Sequence, residues 1–293
     1  MSKFLIYQKG KQVTDRICLS ALESEASVGV FESLRTYGTN IFKEEEHLWR
    51  FQESLQSIAS PVSISIQTLK EELRKALRAH VIAREQSDRN NLKTGLLRYA
   101  RNDRIEDLFL RLCLWQNEIF VFVGARSHPK QIYELGVNLS TSPVKRTHTN
   151  AQSPQVKTSA YSNAFLASLE IKPENTYEWV FLDASGYVTE VRIGNLFMVK
   201  RGTLYTPPED GILNGVTRSV VIECALRNRI KFEETRLTRH DIYNADEAFL
   251  TNTSWEILPV AKLDGRVVGE NIPGPMIQKL QKTFKQIVKE ESL

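Results

Sequence analysis

Residues 211–218 read Gly211-Ile212-Leu213-Asn214-Gly215-Val216-Thr217-Arg218, a glycine-bounded loop that runs directly into a stretch with helical periodicity over 217–227. The first N–H groups of a helix have no partner inside it, and the helix dipole adds positive potential at that end. Such a start favours an anion, often a phosphate, and Thr217 near the N-cap adds a hydroxyl. An ordinary capped helix start would read the same way, so the loop gains meaning only from its surroundings.

Those surroundings are rich in strand signals. Segments 179–183 and 187–189 flank Ala184-Ser185-Gly186, and 196–200 and 203–205 flank Arg201-Gly202; both arrangements predict hairpins. Further strands are expected at 137–140, 247–251 and 257–260, with helices over 161–169 and 276–289 and a polar loop over 145–155. Toward the N-terminus, 4–13 predicts two short strands around Lys9-Gly10-Lys11, and 28–37 predicts another. Leu48, Phe51, Leu55 and Ile58, then Leu69, Leu73, Leu77 and Val81, mark two amphipathic helices. The polar stretch 85–94 predicts a surface loop, and 108–115 with 119–123 a hairpin. Gly124-Ala125-Arg126-Ser127-His128-Pro129 interrupts all periodicity. The expected architecture is mixed, α+β or α/β, in two domains. Residues 1–123 form a small N-terminal α+β domain, 124–130 a linker, and 131–293 a larger strand-rich domain.

Composition narrows the class. At 293 residues the length suits about two domains of roughly 150 residues. Lys and Arg number 39 against 35 Asp and Glu, a net charge of +4, too small and too dispersed for an electrostatic nucleic-acid binder. No uncharged apolar run reaches the ~18 residues of a membrane span, and the apolar start of the chain is too short for a signal peptide. Cys18, Cys113 and Cys224 are odd in number, widely spaced and free of a C-x-x-C motif, which predicts a reducing, cytoplasmic setting. The five histidines never fall at metal-ligand spacing, so no metal is expected. Taken alone, Lys157 at the end of the polar loop is an ordinary solvated lysine.

Five blocks in order change that reading. Gly29-Val30-Phe31-Glu32-Ser33-Leu34-Arg35 followed by His47-Leu48-Trp49-Arg50 resembles the "G-x-F-E-x-x-R … H-x-x-R" opening of fold-type IV pyridoxal-phosphate enzymes, the class IV or branched-chain-aminotransferase-like family. Lys157-Thr158-Ser159-Ala160-Tyr161 resembles its K-x-x-x-Y segment. Asp183 to Glu190 with Asn195-Leu196-Phe197 is similar to its "D-x-x-G-x-V-x-E-x-x-x-x-N" block. Thr206-Pro207-Pro208 and the opening loop resemble "T-P … G-I-L-x-G-I-T-R", and Phe249 to Thr253 resembles the last phosphate-side block.

The resemblance implies a small α+β domain and a larger pseudo-barrel domain, with pyridoxal 5′-phosphate in the cleft between them. It implies Lys157 as the catalytic lysine that forms the Schiff base and shuttles the proton, a role that needs a partly neutral amine. It also implies Glu190 at the pyridine nitrogen and Tyr161 at the phenolic oxygen, with Val216, Thr217, Arg50 and Thr253 around the phosphate. Phe31, Arg35, Phe109, Arg111 and Ser254 would line the substrate pocket, where arginines accept carboxylates. A homodimer acting on small amino acids and 2-oxo acids follows from the same resemblance.

Three positions depart from the family. Ala26-Ser27-Val28 replaces the aromatic-Gly-Asp lead-in. Leu114-Trp115-Gln116 lacks the arginine of D-amino-acid enzymes. Ser254-Trp255 replaces small residues, with the indole expected to narrow the pocket. The expected activity is amino-group transfer between an amino acid and a 2-oxo acid. The alternative is 4-amino-4-deoxychorismate lyase, which eliminates pyruvate with the same lysine and cofactor. Thr251-Asn252-Thr253-Ser254 resembles its "T-N-S" segment. A non-catalytic binding protein and a nucleic-acid binder, the latter suggested only by a pI near 8.8, are the other classes considered.

Overall fold

The computed structural model describes residues 5–13, 29–93, 107–115 and 117–292, with backbone only over 85–93. Phe4, Cys18, Ala26-Ser27-Val28, Thr94 and Gln116, all part of the sequence expectations, lie outside the described residues. The chain divides into two compact units. The first holds Met1–Arg126, Lys157–Ala160 and Ser292; the second holds Ser127–Val156 and Tyr161–Glu291.

The first unit is built on a six-stranded sheet of β1 (Leu5–Gln8), β2 (Lys11–Val13), β3 (Val30–Tyr37), β4 (Asn40–Ile41), β5 (Leu108–Trp115) and β6 (Glu118–Ala125). The order is β2-β1-β6-β5-β3-β4, with every pair antiparallel. Burial along β3 alternates residue by residue, as a pleated strand with two unlike faces requires. Leu34, Leu110, Leu112, Val121 and Val123 point to one face. There they pack against Leu48, Phe51 and Leu55 of α1 (Glu44–Ser57) and Leu69 and Leu73 of α2 (Ile66–Lys93). Each such side chain removed from water contributes about 1.5–3 kcal/mol, so this one layer anchors both helices.

Three expectations change. α2 continues to Lys93 through the stretch expected as a loop, because polar residues carry no period that separates a solvated helix from a coil. Gly124 and Ala125 belong to β6, paired with Phe109 and Leu108, so the interruption starts at Arg126. Lys157–Ala160, expected with the C-terminal domain, belongs to the first unit. The Phe31 N–H donates to Lys157 O at 3.2 Å and the Ser159 N–H to Gly29 O at 2.8 Å. Gly29 suits this position because a Cβ there would meet Leu114 O at 2.9 Å.

The second unit carries nine strands: β7 (Val137–Thr141), β8 (Glu178–Leu182), β9 (Val188–Val191), β10 (Asn195–Lys200), β11 (Thr203–Thr206), β12 (Phe232–Glu234), β13 (Glu247–Asn252), β14 (Glu256–Leu263) and β15 (Arg266–Val267). The order is β12-β11-β10-β13-β14-β7-β8-β9, with β15 on β14. The β11–β12, β14–β7 and β7–β8 pairs are parallel. Strands β8 and β9 are buried at every residue, the pattern of a sheet covered on both faces. The helices are α3 (Gln131–Leu135), α4 (Ser162–Leu169), α5 (Val216–Arg227), α6 (Arg239–Tyr243) and α7 (Pro275–Glu291). The start of α7 is capped from the sheet. Buried Glu247 on β13 accepts from the Met276 N–H at 2.9 Å and the Ile277 N–H at 2.8 Å. Hydrogen bonds to a charged group contribute roughly 1.5–3 kcal/mol, so this cap ties the C-terminal helix to the barrel-like sheet.

Candidate active site

In the second unit, α5 begins after Gly215, an N-cap with no side chain. The first turn-closing bond runs from the Ser219 N–H to Gly215 O at 3.0 Å. The N–H groups of Val216 and Thr217 therefore have no acceptor inside the helix. Thr217 sits at the second helical position and is buried. The loop before the helix is held from several sides. Asn195 Nδ2 donates to Leu213 O at 2.8 Å, and a Cβ on Gly215 would collide with Asn195 Oδ1. Arg218, fully buried, donates to Glu209 at 3.1 Å, Glu234 at 2.7 Å and Pro207 O at 3.3 Å.

Glu190 on β9 joins the same loop. Its Oε2 accepts from the Leu213 N–H at 3.1 Å, and its Oε1 lies 2.8 Å from Arg146 Nη2. Arg146 is itself buried, donates to Asn163 Oδ1 at 3.1 Å and covers the Tyr161 ring at 5.6 Å. A buried carboxylate of this kind persists because a guanidinium and an amide satisfy it. Arg146 Nε, Asn163 Nδ2 and Thr251 Oγ1 are buried without a hydrogen-bond partner among the described residues. Thr251 pairs with Asn195 across β13 and β10, so its hydroxyl belongs to the same neighbourhood. Thr253 stands in the turn from β13 to β14.

In the first unit, Lys157 Nζ lies 4.7 Å from the centroid of the Phe31 ring, and the Lys157 N–H donates to Ser54 Oγ at 3.0 Å. Arg50 forks onto Glu32, with Nε at 2.9 Å from Oε2 and Nη2 at 2.7 Å from Oε1, while His47 Nδ1 meets Oε1 at 3.1 Å. His47 and Arg50 stand three apart on α1, so one helix face delivers both to the same carboxylate. Burial opposes ionisation of Glu32, yet the charges and hydrogen bonds of Arg50 and His47 hold its carboxyl well below the usual range. Burial pushes His47 down, against the pull of Glu32, and favours the neutral ring.

The predicted substrate residues Phe31, Arg35, Phe109 and Arg111 share one face of the first sheet. Arg35 lies opposite Phe109, and Arg111 lies opposite Ser33. Arg111 covers the Phe31 ring at 4.7 Å, the same ring that Lys157 approaches. Arg35 is tied to Asp107 at 3.3 Å and to the Tyr37 ring at 4.8 Å, contacts that hold the strand edge. Ser254 Oγ is 2.8 Å from His128 Nε2, and the Ser254 and Trp255 N–H groups both donate to Asn252 Oδ1. The indole of Trp255 is not a pocket wall. It is buried in the core of the second unit beside Tyr177, whose ring lies 5.6 Å away. Arg146 and Asn163 had no signal in the sequence, being single polar residues whose partners are distant in the chain.

Among the described residues no cluster of His, Cys, Asp or Glu could hold a metal ion, and no helix is long and apolar enough to cross a membrane.

The buried His47–Glu32 pair makes a pH prediction. Folded His47 resists protonation, so below the ordinary pKa of about 6.5 the unfolded chain takes a proton that the folded chain refuses, and stability is lost as the pH is lowered. His47→Asn, which keeps a donor near the Nδ1 position, should flatten this limb in urea titrations run between about pH 6.5 and pH 5. An unchanged slope would contradict the assignment. Stability from Glu32 has the same sign. It is present above about pH 4.3 and lost only on further acidification.

The class IV aminotransferase family matches residues 29–263 of the chain. A branched-chain-amino-acid aminotransferase of Pseudomonas aeruginosa is 34% identical over 270 residues, covering 89% of this chain and 84% of that one. The branched-chain aminotransferase of Thermoproteus uzoniensis, solved with norvaline, is 29% identical at a TM-score of 0.78, covering 99% of this chain and 96% of the other. A branched-chain amino acid aminotransferase of T.th., solved with pyridoxamine 5′-phosphate, is 27% identical at a TM-score of 0.80, covering 98% and 94%. These relatives are aminotransferases, which does not favour the lyase alternative. The chain belongs to the class IV aminotransferase family and has its two-part, mixed α/β fold.

Proposed function

We propose that this aminotransferase moves the amino group between branched-chain amino acids and a 2-oxo acid, using pyridoxal 5′-phosphate. The observation that carries the cofactor reading is the junction in the second unit, where Glu190 bonds the loop that leads to the anion-favouring start of α5. The residues present fit such a group. A Gly215 that Asn195 leaves no room to enlarge, and buried polar atoms on Arg146, Asn163 and Thr251 without partners among the described residues, suit a flat polar ligand with a phosphate.

When bound, pyridoxal 5′-phosphate supplies an electrophilic carbon for amines and a sink for the electron pair left at Cα. The Val216 and Thr217 N–H groups, with the hydroxyls of Thr217 and Thr253, would hold the phosphate. Arg50 is the proposed cation of that set, its guanidinium fixed in direction by Glu32. Glu190, clamped by Arg146, would accept from the ring nitrogen, and Tyr161 would donate to the phenolic oxygen. Lys157 would link to the cofactor and carry the proton to and from substrate Cα.

On the substrate side, the rings of Phe31 and Phe109 suit an aliphatic side chain, and Arg111 suits a carboxylate. The family's amino-group donors and acceptors, together with the names of the relatives, support the branched-chain assignment. A homodimer belongs to the same reading. It is supported by Phe165, Leu166 and Leu169, which stand 58%, 49% and 65% exposed on α4, with Ile171 just beyond. A one-copy mass by light scattering at micromolar concentration would remove that part. A cytoplasmic location is supported by Cys224, which is buried and in no disulfide among the described residues.

Purified enzyme should form glutamate from 2-oxoglutarate with leucine, isoleucine or valine as donor. Lys157→Ala should lose about 10²–10⁴-fold or more of this rate, the scale of removing a positioned acid–base group. Arg111→Met should raise KM for glutamate about tenfold while changing that for leucine less, as a lost charge-assisted bond would. Pyruvate release from 4-amino-4-deoxychorismate without amino-group transfer would contradict the reading.

A further inference from the structure

The loop over 209–214 has a tie that the roles above do not use. Gln155, two residues before Lys157 in the chain, donates from Nε2 to Glu209 O at 2.6 Å and Ile212 O at 3.1 Å, and its Oε1 accepts from the Asn214 N–H at 3.2 Å. Two carbonyls and one N–H together fix which end of the amide faces which partner. A single side chain thus spans the loop from its short 3-10 turn (Glu209–Gly211) to the residue before Gly215. Asn195 and Glu190 bond Leu213 in the middle of this stretch, and Arg218 bonds the Pro207–Glu209 end. Gln155 bonds both ends.

We propose that Gln155 is a positioning residue that sets the Val216 and Thr217 N–H groups for the phosphate by locking the preceding loop to the segment that leads into Lys157. The proposal rests on the cofactor reading above. Three hydrogen bonds that are each partly solvent-exposed contribute little to global stability, since water replaces them on unfolding and on mutation. Their effect is on where the loop stands, and a phosphate cup made of backbone N–H groups is sensitive to that.

The test is a titration of cofactor-free enzyme with pyridoxal 5′-phosphate, followed by intrinsic fluorescence, for the wild type, Gln155→Ala and Gln155→Glu. Inorganic phosphate serves as competitor, because it probes the cup without the ring. Gln155→Ala should weaken both ligands about tenfold. Gln155→Glu should weaken them at least as much, because it keeps the acceptor for Asn214 but sets an anionic oxygen against two carbonyls. Turnover at saturating cofactor should fall far less than affinity, while far-UV circular dichroism and melting temperature stay near the wild-type values. Wild-type affinity in both variants would overturn the proposal, as would losses of affinity that merely track losses of melting temperature. A wild-type apoprotein that binds no pyridoxal 5′-phosphate would instead overturn the cofactor reading beneath it.

Discussion

The hydrogen bond from the Leu213 N–H to the Glu190 carboxylate is the contact on which the arrangement of the candidate site in the second unit depends. A carboxylate taken out of water costs several kcal/mol unless charge and donors replace the lost hydration. Arg146 provides the charge, and Leu213 provides a donor that belongs to the anion-favouring loop. The carboxylate and the helix start are thereby held in fixed relation. Asn195, Arg218 and Gln155 secure the loop from three further directions. Without them, the Glu190 bond to Leu213 would be left to hold the loop together with its own turn geometry.

The first unit solves a parallel problem with different residues. Glu32 faces the helix-covered side of its sheet and would be an uncompensated charge without Arg50 and His47. Removing the ionic partner of such a carboxylate costs about 3–5 kcal/mol, so Arg50 is the partner it depends on, and the neutral His47 adds a hydrogen bond. Alternation along β3 places Phe31 on the opposite face, and Lys157 reaches that ring because its backbone is bonded to β3. The strand period thus separates a structural charge cluster from the face that carries the substrate candidates.

Much of this was legible in the residues. Hairpins and helices with a clear period stand where the pattern puts them, among them β5 with β6, β10 with β11, α1 and α5. The helix start at Gly215 was readable as a loop feeding a helix, and only the motifs around it pointed to an anion. What was not legible has a common cause. Arg146 and Gln155 sit in an aperiodic polar loop, and their partners lie 17 to 59 positions away, so nothing local announces them. Trp255 misled for the opposite reason. A bulky residue in a pocket motif reads as a wall, yet β14 starts at Glu256 and the indole turns into the core beside Tyr177. The segment Lys157–Ala160 was assigned by chain order, whereas its backbone bonds to Gly29 and Phe31 decide where it belongs.

The most direct test is chemical. The enzyme is loaded with pyridoxal 5′-phosphate, reduced with borohydride, digested and mapped by mass spectrometry. One pyridoxyl group per chain is expected, on the peptide containing Lys157. Label on a different lysine, or none in a preparation that transfers amino groups, would contradict the assignment of Lys157 as the catalytic lysine.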